Sequence, residues 1–176
     1  MALTTFKLKW QLLPDGMVGQ RLKLAQSQTG RALARAMQSE SLAYHRLGQP
    51  YLPTKPHWGV SISHSQRFVA VIVAPQAVGF DIEQCRPLVL TKIKRAFTAA
   101  EWAFLQSLSA VEQVTMAWRL WTAKEAVLKL LGCGLTKSPR QVVVQLPLCD
   151  RAMYHGQVFE LISVKIVPGV VGTLAW

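Results

Sequence analysis

Carboxylates are scarce in this chain. Nine Asp and Glu stand among 176 residues against twenty Lys and Arg, for a formal net charge of +11 and an isoelectric point near 10.1. A surface this basic draws polyanions, whether nucleic acid, an anionic membrane or a strongly acidic protein, and charge alone does not choose among them. Cysteine is also sparse: Cys85, Cys133 and Cys149 are odd in number and lack C-x-x-C spacing. That excludes a disulfide framework, argues against a zinc site and points to a reduced, cytoplasmic compartment. Long apolar runs are missing. The most apolar window, Phe68 to Phe80, contains Pro75 and Gln76 and is too short to span a bilayer. The opening MALTTFKLKWQLLPDG is interrupted by charge and proline before a signal-peptide core forms. Low-complexity tracts and short repeats are absent. What is present is apolar enough, at 51% hydrophobic residues, to bury a core, so the expectation is a soluble cytoplasmic protein.

Periodicity divides the chain into an α+β order. Phe6 to Leu13 alternates weakly and predicts a strand ending at Pro14-Asp15-Gly16. Gln20 to Leu47, rich in Leu, Ala, Arg and Gln, predicts helix, with Gly30 as a point of division and Gly48-Gln49-Pro50 as the stop. Trp58 to Ser63 alternates, with Val60 and Ile62 on one side and Ser61 and Ser63 on the other; Arg67 to Ala74 is a β-branched run. The two predict a hairpin with Ser63 to Gln66 near its tip. Val78 to Glu83 predicts another strand and Thr91 to Phe97 a short helix. Thr98-x-x-Glu101 and Ser109-x-x-Glu112 match the capping box, and the second opens the strongest helix, Ala110 to Leu131. Val142 to Leu146, Val158 to Val167 and Val170 to Trp176 read as strands. A break near Pro75 to Ala77 divides the chain into residues 1–77 and 78–176.

The scarce carboxylates concentrate in two places. Asp81 and Glu83, two apart in a strand, share a face beside Gly79, which leaves room for a ligand near the backbone. Taken alone, that pair is more simply explained as an exposed polar strand face. Glu125 falls inside the apolar stripe Val114, Trp118, Trp121, Leu128, Leu131 of its helix, where an unpartnered carboxylate is costly. Its partner is either Lys129, one turn on, or a cation shared with Asp81 and Glu83. Spacing weighs the two equally, and an all-oxygen donor set suits Mg²⁺. His64, between two serines, is either a solvated turn residue or part of a phosphate cradle with Ser63. Lys92, Lys94 and Arg95 form a solvated basic face or a docking patch.

Together these elements resemble the 4′-phosphopantetheinyl transferase superfamily. Gly79-Phe-Asp81-Ile-Glu83 is similar to its G-x-D-x-E strand. Trp121-Thr-Ala-Lys124-Glu125-Ala-Val-Leu-Lys129 is similar to its W-[ST]-x-K-E-x-x-x-K helix, with Glu125 lying 44 residues after Asp81. Ser61-Ile-Ser63-His64-Ser65 resembles the N-[IL]-S-H-S element, Gly48-Gln49-Pro50 the G-K-P element, and Gly132-Cys-Gly-Leu135 the G-x-G-L turn. The elements run in family order from Arg31 to about Val144. Gln49 stands where Lys is usual and Ser61 where Asn is common.

The resemblance implies a fold of two similar α+β halves packed as a pseudo-dimer, in the larger monomeric branch. It implies transfer of 4′-phosphopantetheine from coenzyme A to a serine of an acidic acyl or peptidyl carrier protein, leaving adenosine 3′,5′-bisphosphate. Mg²⁺ would be held by Asp81, Glu83 and Glu125. Glu125, Lys129 and Asp81 would carry the chemistry, and Arg35, Gln49, Pro50, Ser63, His64, Lys124 and Lys129 would hold coenzyme A. Nucleic acid and membrane are not expected partners. The alternatives are a homologue that binds coenzyme A or carrier without turnover, and a metal-dependent nuclease. The nuclease fits worse, because neither Glu83 nor Glu125 is followed by the E-x-K spacing of the common nuclease core.

Overall fold

Two β-sheets lie edge to edge, each with a long helix on one face. The computed structural model describes residues 5–87, 90–133 and 136–176. The first sheet has the order β1-β5-β4, all antiparallel, from β1 (Lys7–Leu12), β4 (Gly59–Ser65) and β5 (Phe68–Ala74). Its helix, α1 (Gly19–Arg35), lies over Val60, Ile62, Val71 and Val73. Gly30 does not divide α1. It is the point of closest approach to the sheet, where a Cβ would stand 2.8 Å from Ile62 Cγ2.

The helix is shorter than predicted. It stops at Arg35, and Ala43–Tyr44 (β2) pairs with Pro50–Tyr51 (β3) in a small hairpin that no periodicity announces. The reason is local and polar. Ser39 and Ser41 are residues that favour turns over helix interiors, and the Glu40 carboxylate accepts from Thr54 N (2.9 Å) and Thr54 Oγ1 (2.7 Å), holding the chain back on itself.

The second sheet has the order β6-β10-β9-β8-β7, from β6 (Gly79–Gln84), β7 (Val143–Val144), β8 (Arg151–Tyr154), β9 (Gln157–Ser163) and β10 (Val170–Ala175). Leu90–Ile93 forms α2 and runs into a 3₁₀ turn at Lys94–Ala96. Ala99–Gln106 forms α3 and Ala110–Leu130 forms α4. Both capping boxes are made: Thr98 with Glu101 opens α3, and Ser109 with Glu112 opens α4. Strand β8, Arg-Ala-Met-Tyr, lacks the β-branched run that marks the others, so no local signal places it.

The sheets share a core on the side away from α1 and α4. Ala70, Ile72 and Ala74 of β5 meet Phe80 and Ile82 of β6 and Leu174 of β10. On the opposite side α4 covers β6 and β10 while α3 and β7 to β9 close over it. From Ala117 to Leu128 this helix is therefore buried nearly all round, including Lys124 and Glu125. Among the described residues, no helix is long and apolar enough to cross a membrane.

Candidate active site

Gly79 sets how closely α4 approaches β6. A Cβ there would lie 1.9 Å from the Ala126 carbonyl oxygen and 2.5 Å from Leu130 N. The room beside this glycine is thus filled by helix backbone, not by a ligand. The contact has a direct chemical consequence, because Ala126 follows Glu125 and Leu130 follows Lys129. Bringing α4 down on Gly79 sets both side chains against the strand face that carries Asp81 and Glu83. A buried hydroxyl pair, Thr122 to Thr173 at 2.8 Å, fixes the same helix to β10 opposite Asp81.

Lys129 pairs with Asp81, at 2.7 Å from Oδ1. Its ammonium also donates to Ser63 Oγ (2.9 Å) and to the Phe80 carbonyl (3.2 Å). The i,i+4 pair with Glu125 does not form, and among the described residues Glu125 has no ion-pair partner. Burial raises the Glu125 pKa first, and the Asp81 charge adds to it while Lys129 opposes. Burial likewise raises the Glu83 pKa, opposed by the Ser65 hydroxyl and reinforced by Asp81. The second oxygen of Asp81, Oδ2, is buried and has no hydrogen-bond partner among the described residues.

Of the three carboxyl groups only Asp81 is ion-paired among the described residues, and its second oxygen is orphaned there. Among the described residues, no three acidic, His or Cys side chains stand close enough to form a ready-made metal cage. The donor chemistry nevertheless fits a hard divalent cation: all oxygen, excess negative charge, an unsatisfied carboxylate oxygen.

The two sheets are joined by a ladder of serine hydroxyls. Ser61, Ser63 and Ser65 project from β4 toward β6, and their Oγ atoms accept from Phe80 N (2.9 Å), Ile82 N (3.1 Å) and Gln84 N (3.0 Å). Each hydroxyl then donates onward: Ser61 to the Phe80 carbonyl, Ser63 to Asp81 Oδ1 at 2.7 Å, and Ser65 to Glu83. These side chains take the place of backbone partners along the β6 edge. Their period-two spacing was visible in the sequence, but its meaning was not.

Ser63 is 2% exposed and fully committed to this seam, so it orients Asp81 and Lys129 and is not free to hold a phosphate. His64 faces outward from the same strand and is exposed. Crowding of its ring by protein, together with the Lys129 charge, lowers its pKa. Strand β4 continues through Ser65, so His64 lies in the strand and the turn is Gln66-Arg67.

Lys124 departs most from expectation. It is 0% exposed and cannot touch a coenzyme. Its ammonium donates to Glu101 Oε1 at 2.8 Å and to the Val142 carbonyl, tying α4 to α3 and to the approach of β7. Glu101 in turn accepts from Thr98 N (2.7 Å) and Val144 N (3.0 Å). Arg35 is exposed at the end of α1 and makes no hydrogen bond to the site residues among the described residues.

Two cavities flank the site. One, of about 150 Å³, is lined by Gly48, Gln49, Pro50, Ile62, Lys129 and Gly132 among others. The other, of about 400 Å³, brings Glu125 and Trp121 together with Lys92, Arg95 and Lys137. The predicted basic cluster therefore divides. Lys92 and Arg95 reach the Glu125 cavity, whereas Lys94 lies over the Trp102 ring, 5.2 Å from its centroid. Of the Gly132 to Leu135 motif, Gly134 and Leu135 lie outside the described residues.

Residues 77–157 match the family model described as the 4′-phosphopantetheinyl transferase superfamily. A 4′-phosphopantetheinyl transferase of Bacillus subtilis is 33% identical over 96 residues, covering 54% of this chain and 43% of the relative. The 4′-phosphopantetheinyl transferase Sfp of Bacillus subtilis (strain 168) is 36% identical over 89 residues, 51% of this chain and 40% of the relative. The 4′-phosphopantetheinyl transferase AcpT of Escherichia coli (strain K12) is 33% identical over 95 residues, 52% of this chain and 48% of the relative. The matched stretch spans less than half the length of each of these three relatives.

Proposed function

We propose that this chain, a member of the 4′-phosphopantetheinyl transferase superfamily, moves 4′-phosphopantetheine from coenzyme A to a serine of an apo acyl or peptidyl carrier protein. The observation that carries the reading is the meeting of Asp81, Glu83, Glu125 and Lys129 across the contact between β6 and α4, with Asp81 Oδ2 left unpartnered.

The serine oxygen forms a bond to the β-phosphorus of coenzyme A. The pyrophosphate P–O bond breaks, and adenosine 3′,5′-bisphosphate leaves. Glu125, whose raised pKa suits it to proton transfer, accepts the serine hydroxyl proton. Lys129, held at the seam by Asp81 and Ser63, places its charge where the departing phosphate accumulates its own. Asp81, Glu83 and Glu125 are the residues that would hold Mg²⁺, which supplies charge neutralisation at the pyrophosphate when bound. The exposed His64 takes the coenzyme's 3′-phosphate, Arg35 assists from the end of α1, and Pro50 lines the coenzyme side of the site. Lys92 and Arg95 at the mouth of the Glu125 cavity receive an acidic carrier. The two sheet-and-helix units form the halves of a pseudo-dimer within one monomer working in the cytoplasm.

The test is direct. Apo carrier protein incubated with this chain, coenzyme A and Mg²⁺ gains the mass of phosphopantetheine on its acceptor serine. An unchanged carrier mass across acyl and peptidyl carriers, with coenzyme A still bound, identifies a binding homologue instead.

A further inference from the structure

Gln49 directly precedes β3 in the β2–β3 hairpin, 80 residues from Lys129 in the helix end it touches. Its amide nitrogen donates to the carbonyl oxygens of Lys129 (3.0 Å) and Leu130 (3.4 Å) in the last turn of α4. The two hydrogens of the amide match these two acceptors, so none remains for a ligand. Gly132 accommodates the arrangement. It leaves the helix at φ +64, and a Cβ there would stand 2.4 Å from Gln49 Oε1. The hairpin that presents Gln49 is itself braced. His45 N donates to the Gln49 carbonyl (2.9 Å), Gly48 N to the His45 carbonyl (2.8 Å), and the rings of His45 and Tyr51 stack at 4.4 Å.

The residue whose carbonyl Gln49 holds is the residue whose ammonium bridges Asp81 and Ser63. We infer that Gln49 is a positioning residue: the β2–β3 hairpin docks its amide onto the end of α4 and so holds Lys129 at the seam between the sheets. The cavity shared by Gln49 and Lys129 then offers a phosphate no cation of its own at position 49. The inference rests on the reading of Lys129 as the residue that meets the departing phosphate.

The experiment compares Gln49→Ala and Gln49→Lys with the wild-type chain in two readouts. The first needs no substrate: amide hydrogen exchange at Leu131, Gly132 and Cys133. Gln49→Ala is expected to speed exchange there about fivefold, the equivalent of one ordinary hydrogen bond. The second is steady-state transfer. Gln49→Ala is expected to lower kcat by about fivefold with the KM for coenzyme A within about twofold. Gln49→Lys recovers most of that loss, because an ammonium reaches the same carbonyls at the negative end of the helix. Unchanged exchange in Gln49→Ala overturns the inference. So does a rise in KM with kcat intact, or a Gln49→Lys variant that gains affinity for coenzyme A over 3′-dephospho-coenzyme A, since both mark a ligand contact. Should the wild-type chain transfer nothing, the exchange result still decides the role of Gln49, and the functional reading falls separately.

Discussion

Replacing Lys124 by Met should cripple stability without touching the substrate site. Lys124 and Glu101 are 0% and 1% exposed, and their 2.8 Å pair joins α4 to α3. Breaking such a pair by removing one partner costs about 3–5 kcal/mol, because the remaining charge stays buried. The lower end applies here. Glu101 keeps the N–H groups of Thr98 and Val144, while the Val142 carbonyl loses its donor. For a chain of this length the loss lowers the melting temperature by on the order of 10 °C. The double variant Lys124→Met with Glu101→Gln should recover more than half of it, since a neutral pair of similar volume leaves no charge stranded. Circular dichroism melts of the four proteins give the cycle. Calorimetric titration of coenzyme A, well below the melt, gives the second arm: Lys124→Met should bind within about twofold of wild type, because a side chain with no exposed atom touches no ligand. A variant that melts like wild type but loses tenfold in coenzyme A affinity would show that Lys124 is a ligand contact and that the burial argument is wrong.

Asp81→Ala and Glu125→Ala should each abolish transfer while the far-ultraviolet spectrum is retained; near-normal rates at saturating Mg²⁺ would remove the carboxylates from the chemistry. Glu83 and Glu125 hold their protons to higher pH when folded than when unfolded. The stability this contributes is complete below the ordinary Glu range and is lost as pH rises through the raised folded values. The metal-free wild type should therefore lose stability from acid toward neutral pH relative to Glu125→Gln, and parallel curves of unfolding midpoint against pH would refute the assignment. Reversing Lys92 and Arg95 to Glu should raise the carrier KM several-fold and leave coenzyme A affinity nearly unchanged. Lys94→Glu should do less, because Lys94 lies over Trp102. His64→Ala should weaken coenzyme A more than 3′-dephospho-coenzyme A in equilibrium titrations, and equal losses would free His64 from the 3′-phosphate.

What was legible in the sequence was whatever a single element decides for itself. The alternation of β4, the hydrophobic run of β5 and the two capping boxes are local signals; β5, α3 and α4 formed where these placed them, and β4 runs two residues past the predicted Ser63. The scarcity of acids made Asp81, Glu83 and Glu125 conspicuous. Illegible was whatever depends on a second element. The resemblance sets Lys124 among the coenzyme contacts, but α4 is enclosed between the sheet and α3, so Lys124 is buried. The Glu125–Lys129 spacing reads as a helix ion pair worth about 0.2–0.5 kcal/mol. In the folded chain β6 offers Lys129 a buried carboxylate, and Ser63 and the Phe80 carbonyl supply two further acceptors that the helix alone cannot match.

The same dependence makes the site a property of the seam. Asp81 and Glu83 come from β6, Glu125 and Lys129 from α4, and the hydroxyls that orient both carboxylates of β6 come from β4 in the other sheet. Gln49, on a hairpin preceding β4, holds the far end of α4. Residues 77–157, the stretch that matches the family, contain every carboxylate of the site but none of the groups that β4 and the hairpin contribute. A fragment restricted to that stretch leaves the N–H groups along the β6 edge without their serine acceptors and Lys129 with Asp81 as its sole side-chain partner. That fragment also lacks β10 and with it the Thr122–Thr173 bond, so Gly79 sets the distance between strand and helix while the contacts from β4 and β10 that fix where Lys129 comes to rest are both lost. The first sheet therefore supplies the hydroxyls that position Asp81, Glu83 and Lys129.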